Sequence, residues 1–170
     1  IGALAEGDQC WEPASSDSVG LHLGEGCAYL VVERRDEAAA RGATIRALIS
    51  GYGTAFEPPT NDALLLNATP VAVARAIKGA LDDAGISPDR VDAVCSSAAG
   101  IVRYDAAELH AIETTIGTSV AVAAPKAMWG ECFAGIPAEI GGVAEACIDF
   151  MQAVRQLAFH GAELHGVRAG

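Results

Sequence analysis

Residues 91–108 read V-D-A-V-C-S-S-A-A-G-I-V-R-Y-D-A-A-E, and residues 123–135 read A-A-P-K-A-M-W-G-E-C-F-A-G. The first window opens with a short apolar run, 91–95, which reads as a buried strand. Residues 104–116 follow as a helix, with Ala107, His110, Ala111 and Thr114 on neighbouring faces. Residues 119–123 form another short strand, leading into the second window. Short apolar strands alternating with helices are the signature of an α/β layered domain with a mostly parallel sheet.

Outward from these windows the alternation continues. Residues 27–32 are nearly all apolar, the pattern of a strand covered on both faces. The charged, alanine-rich stretch 33–41 is a short surface helix that should stop at Gly42. Residues 43–52 return to β character. Residues 57–67 contain Pro58-Pro59-Thr60-Asn61-Asp62, a loop of the kind found near sites. Thr69-Pro70 is a good helix start, a hydroxyl cap followed by proline in the first turn. Val73, Ile77 and Leu81 repeat every four residues behind it, and Gly85 ends that helix. Residues 137–159 make a longer helix, with Ile140, Val143, Ala144, Cys147, Ile148, Met151, Val154 and Leu157 on one stripe. The division expected is a connecting arm at 1–17, one domain at 18–160 and a tail at 161–170.

The 170 residues suit about one domain with a real core; 51% are hydrophobic and 19% charged. The formal charge of −11 speaks against nucleic acid, which wants clustered Lys and Arg. No apolar run reaches the roughly 20 residues of a membrane helix, and no basic amphipathic stretch suggests a membrane surface. The five cysteines (Cys10, Cys27, Cys95, Cys132, Cys147) are widely spaced. They show no zinc-ligand pattern and read as reduced thiols of a cytoplasmic protein. The start at Ile1 is neither a methionine nor a targeting signal, so a piece of something longer is expected.

Without a gap, each opening window resembles a catalytic segment of the β-ketoacyl synthases, condensing enzymes of the thiolase fold. That family writes the first as V-D-x-V-N-A-H-G-T with D-x-x-E further on, and the second as S-S-T-K-S-M-T-G-H. Residues 20–33, G-L-H-L-G-E-G-C-A-Y-L-V-V-E, are similar to its D-G-F-V-L-G-E-G strand. Residues 41–53 are similar to its A-R-G-A continuation, including Gly51-Tyr52-Gly53, and residues 1–4 to the turn before its second half. The resemblance covers roughly residues 1–155. It implies a thiolase-like layered α-β-α fold, and specifically the C-terminal half of a ketosynthase. The nucleophilic cysteine of the family lies in the other half, and its closing G-F-G-G-x-N segment is not here.

The two family histidines promote decarboxylation of a malonyl unit and stabilise the developing enolate, tasks that suit imidazole near neutral pH. This sequence has Ser97 and Glu131 in those places. Serine is short and does not titrate at pH 7, and an ionised carboxylate only accepts hydrogen bonds. Lys126, Asp105 and Glu108 keep the family's residue types. In active members the lysine and that glutamate form a buried ion pair holding the histidine loops, so the resemblance implies Lys126 with Glu108. These three suit a scaffold better than a working site. Trp129, where the family has a small residue, and Cys132 are candidates for the acyl channel. No histidine lies near Cys132 in the local sequence to make it a nucleophile.

The resemblance implies a ketosynthase-like subunit of a fatty acid or polyketide-type β-ketoacyl-ACP synthase system, non-catalytic and acting as a chain-length-factor-like partner. Ala-Pro-Lys at 124–126 is similar to chain-length factors in particular. The alternative is an active β-ketoacyl synthase or acyltransferase completed by another chain that carries the nucleophilic cysteine. Either way, the partners implied are a complementary N-terminal half or an active ketosynthase in a homo- or heterodimer, with acyl carrier protein reached through that complex. No metal and no cofactor is implied. A separated half would leave a large apolar patch uncovered and is expected to aggregate or stay partly molten.

Overall fold

The structure, a computed structural model, describes residues 4, 5, 7, 11–25, 31–45, 47–58 and 69–132. Its elements in chain order are α1 (Arg35–Ala40), α2 (Pro70–Ala84), β1 (Ala93–Cys95), α3 (Val102–Thr115), β2 (Ala121–Ala123) and α4 (Lys126–Trp129), with a 3-10 turn at Pro88–Arg90. β1 and β2 pair in parallel, Ala93 opposite Ala121, Val94 opposite Val122 and Cys95 opposite Ala123. The helix between them supplies the crossover that a parallel pair requires. This is the α/β arrangement anticipated for the two windows.

The core lies where α2 and α3 pack together over β1. Ile77 and Leu81 from α2, Val94 from β1 and Ile112 from α3 are buried together, with Val73, Val91, Ile116 and Val120 packed around them. The four-residue repeat on α2 is thus the face that enters the core. Burying each of these side chains fully contributes roughly 1.5–3 kcal/mol.

Helix ends follow local chemistry. Pro70 opens α2, and Gly85 closes it in the left-handed region at φ 66°. Thr69 does not cap: its hydroxyl donates to the Glu57 carboxylate instead. Gly42, at φ 72°, follows α1 as expected. The Arg41 guanidinium donates to the Glu33 carboxylate and holds its carboxyl below the usual range. That stabilisation is present above the ordinary carboxylate range and is lost as pH falls through the lowered value. At this exposed position it is small.

Two expected strands are different. Residues 27–30 and the helix at 137–159 lie outside the described residues. Val31 and Val32 lie outside any regular element and are 89% and 71% exposed. Residues 47–58 form no regular element, and Leu48, Ile49, Tyr52 and Phe56 are exposed. Nothing among the described residues covers these side chains, so their apolar character is not realised as burial. Residues 51–53 are held instead by α2. The Tyr52 amide donates to Asp83 Oδ2 at 2.9 Å. Gly51 and Gly53 lie directly on the helix backbone at Ala76, Ala80 and Ala84.

A methyl group at Gly53 would stand 2.0 Å from the Ala76 carbonyl oxygen and 2.4 Å from the Ala80 nitrogen. Rigid backbone atoms give way only if the segment lifts off α2. Gly53→Ala is therefore expected to cost about 3 kcal/mol, the upper end of overpacking. Gly42→Ala, with open space around it, is expected to cost only about 1 kcal/mol of backbone strain. Urea midpoints of the two variants, in the polypeptide as its gene encodes it, check the order.

Candidate functional site

Beyond β1 the backbone stays paired for one more residue, the Ser96 amide donating to the Ala123 carbonyl at 2.7 Å. Both chains then leave the ladder at their C-terminal ends, the ordinary location for sites in parallel sheets. From β1 comes the small-residue loop 96–100, and from β2 comes α4. Ser96 is buried, and its hydroxyl accepts from the Ala98 amide at 3.0 Å, tightening the turn.

Ser97, the next residue, turns toward α3. Its amide donates to Glu108 Oε1 at 2.8 Å and its hydroxyl to Glu108 Oε2 at 2.6 Å. One carboxylate takes both donors of one serine. Lys126, at the start of α4, pairs with Glu131, Nζ to Oε2 at 2.6 Å. The two side chains are 15% and 12% exposed, so the contact is a largely desolvated ion pair. The pairing of Lys126 with Glu108 implied by the resemblance is therefore not the one found. Lys126 finds its carboxylate at Glu131, five residues on, and the Glu108 carboxylate takes the amide and hydroxyl of Ser97.

The Glu131 backbone is fixed independently. Its amide donates to the His22 carbonyl at 2.7 Å, and its carbonyl accepts from the Gly24 amide at 3.0 Å, a parallel bridge to Leu23. Gly130 permits that approach. It sits at φ 73°, and a Cβ there would lie 2.8 Å from the Gly24 nitrogen and 2.9 Å from the His22 oxygen. Cys132 follows half-buried, and Trp129 closes α4.

Asp105, 4% exposed in the first turn of α3, holds the loop from behind. Oδ1 accepts from the Ala99 amide at 3.1 Å, and Oδ2 from the Gly100 and Ala14 amides at 2.8 and 3.0 Å. The residue preceding α3 is Ile101, which makes no side-chain cap. The amides that Asp105 accepts lie outside α3, so it ties the loop to the helix rather than capping it, and its charge suits the positive end of the helix dipole.

Residues 11–20 pack onto the site loop. The Ser18 hydroxyl donates to the Gly100 carbonyl at 2.8 Å and accepts from the Glu12 amide at 3.2 Å. Trp11 stacks on His22 with ring centroids 4.9 Å apart. Sequence reasoning missed Ser18 and Ala14 because no periodicity or spacing marks a backbone amide that serves a carboxylate 91 residues away.

Against this geometry the comparisons with known proteins fall into place. The family model for the β-ketoacyl synthase C-terminal domain matches residues 46–156. The chain is 39% identical over 125 residues to the tetracenomycin polyketide synthase ketoacyl synthase beta subunit of Streptomyces glaucescens, covering 72% of this chain and 29% of that protein. It is 37% identical over 117 residues to 3-oxoacyl-[acyl-carrier-protein] synthase 2 of Staphylococcus aureus, covering 65% and 28%. Among solved structures, the ishigamide ketosynthase/chain length factor superposes with a TM-score of 0.67 at 31% identity, covering 94% of this chain and 36% of that one. The chain belongs to the β-ketoacyl synthase family, over its C-terminal domain, and has the thiolase-type α/β fold of that half. It spans about a third of the length of the relatives it matches. Among the described residues no helix is long and apolar enough to cross a membrane.

Replacing Asp105 with Asn removes the charge and turns part of the acceptor into a donor facing backbone amides. Asp105→Asn is expected to cost about 2–3 kcal/mol, and Asp17→Asn, at an exposed position, less than about 0.5 kcal/mol. Chemical denaturation of both variants measures the difference.

Proposed function

We propose that this chain is part of a ketosynthase-like subunit of a polyketide or fatty acid β-ketoacyl-ACP synthase system. It does no bond-making and acts, like a chain-length factor, by shaping the cavity of an active ketosynthase partner. The observation that carries the reading is how Ser97 and Glu131, which the resemblance sets at the two family histidine positions, are bonded. Glu131 is an acceptor whose charge is tied to Lys126, so that position presents no net positive charge to an enolate. Both donors of Ser97 are directed at Glu108. Loss of one oxyanion donor typically lowers a rate about 10²–10³-fold, and here two positions have changed.

Similarity to the Streptomyces beta subunit and to the ketosynthase/chain length factor supports the pairing with a ketosynthase. A related neighbour is a type II ketosynthase in complex with its acyl-carrier protein, which supports reaching carrier protein through the assembly. Exposed Leu48, Ile49, Phe56, Val122 and Met128 supply apolar area for a partner to cover. Lys126, Asp105 and Glu108 then serve as scaffold, and residues 18–160 as the folding unit that presents them. Trp129 and Cys132 stand where an acyl channel would be reshaped.

The test is condensation of acyl and malonyl carrier protein by the co-expressed pair of this subunit and a ketosynthase. Glu131→Gln and Ser97→Ala are expected to leave the rate within about threefold, far from the 10²-fold of a lost oxyanion donor. Trp129→Ala is expected to shift the product chain-length distribution. Condensation abolished by Glu131→Gln, with the complex still assembled, would mean that this chain takes part in the chemistry, as in the alternative of an active synthase completed by another chain.

A further inference from the structure

Residues 11–22 leave one place and return to it. Trp11, at the start, stacks on His22, at the end, with ring centroids 4.9 Å apart and planes 28° from parallel. Across the middle, the Glu12 amide donates to the Ser18 hydroxyl at 3.2 Å, and the Ser15 amide to the Glu12 carbonyl at 3.1 Å. Pro13, Ser18 and Gly20 are buried. A segment closed at its base and tied within by its own groups is built like an Ω-loop. Ala14 stands in it at φ 66°, the one non-glycine with positive φ among the described residues. Such a conformation persists only where the surroundings over-determine it. Here the Ala14 amide is held by Asp105 Oδ2 at 3.0 Å.

The loop bonds both chains that leave the ladder. Ala14 and Ser18 reach the loop after β1, the first through Asp105 and the second at the Gly100 carbonyl. At the other end, the His22 carbonyl accepts from the Glu131 amide at 2.7 Å, beyond α4. These attachments have no slack. A Cβ at Gly100 would lie 2.4 Å from the Gly20 oxygen, and one at Gly130 would lie 2.9 Å from the His22 oxygen. We propose that residues 11–22 form a clasped Ω-loop that joins the two site loops into one cooperative unit, with the Trp11–His22 stack as its clasp. Trp11, Ser18 and His22 are then positioning residues. They set where Ser97 and Glu131 stand, acting through the backbone of residues 99–100 and 131. Losing the clasp frees the His22 end, and with it the acceptor of the Glu131 amide.

Hydrogen exchange read by mass spectrometry tests the coupling in peptides 12–20, 96–101 and 129–132. The sample is the polypeptide as its gene encodes it, in complex with whatever partner it requires. Trp11→Ala is expected to speed exchange in all three peptides about tenfold, the scale of one aromatic contact, and to leave α2 unchanged. Trp11→Phe keeps a ring against His22 and is expected to stay within about twofold of the wild type. Ser18→Ala leaves the stack in place and cuts the tie to Gly100. It is expected to speed exchange in 129–132 as well as in 96–101, because a cooperative unit opens together. Acceleration confined to residues 12–20 overturns the proposal, as does acceleration that is as large in Trp11→Phe as in Trp11→Ala. An equal rise in α2 also overturns it, since Trp11 would then serve the core and not the site. The exchange is read without turnover, so each outcome leaves the proposed function to the condensation assay.

Discussion

The parallel ladder of Ala93–Cys95 and Ala121–Ala123 delivers two loops to the same end of the sheet. The amide of Ser96 extends the pairing by one bond to Ala123, so that Ser97 and Lys126 emerge side by side. Everything at the site depends on that juxtaposition, since the two residues are 29 positions apart in sequence. α2 and α3 keep the ladder in place by burying Val94 between them, with Ile77, Leu81 and Ile112. Among the described residues, Val31, Val32, Leu48, Ile49, Tyr52 and Phe56 remain exposed.

Around the ladder, backbone constraints hold the loops more firmly than side-chain packing does. Gly100, at φ 98°, lets the loop after β1 pass within contact of Gly20 and Ser18. Gly130 does the same where the chain after α4 meets residues 22–24. Asp105 gathers three amides from two segments, Ala14 on one side and Ala99 and Gly100 on the other. Loops pinned in this way keep their shape when the residues they present are exchanged.

Where chemistry is concerned, the exchange alters the sign and the partners of the charges, not the count of polar groups. Imidazoles donate hydrogen bonds and hold protons near neutral pH. Here the Glu131 carboxylate accepts from Lys126, and the donors of Ser97 are spent on Glu108. Both sets find their hydrogen-bond partners within the chain.

Much was legible from the chain alone. Local rules placed the helix of Pro70–Ala84 and its glycine stop, the helix across Val102–Thr115, and the two short strands, because each is written in neighbouring residues. Motif order marked the family and singled out Ser97, Asp105, Glu108, Lys126 and Glu131. Sequence could not say which carboxylate Lys126 would choose. That choice depends on the bridge that sets Glu131 against Leu23, a product of contacts distant in sequence. Nor could it show that the stretch around Ala14 and Ser18 latches the loop at Gly100, since a backbone amide carries no residue signature. Residue types and spacings thus determined the fold and the list of groups at the site. Only tertiary structure decided the pairing among them, because hydrogen bonds and ion pairs go to the partner that folding brings nearest.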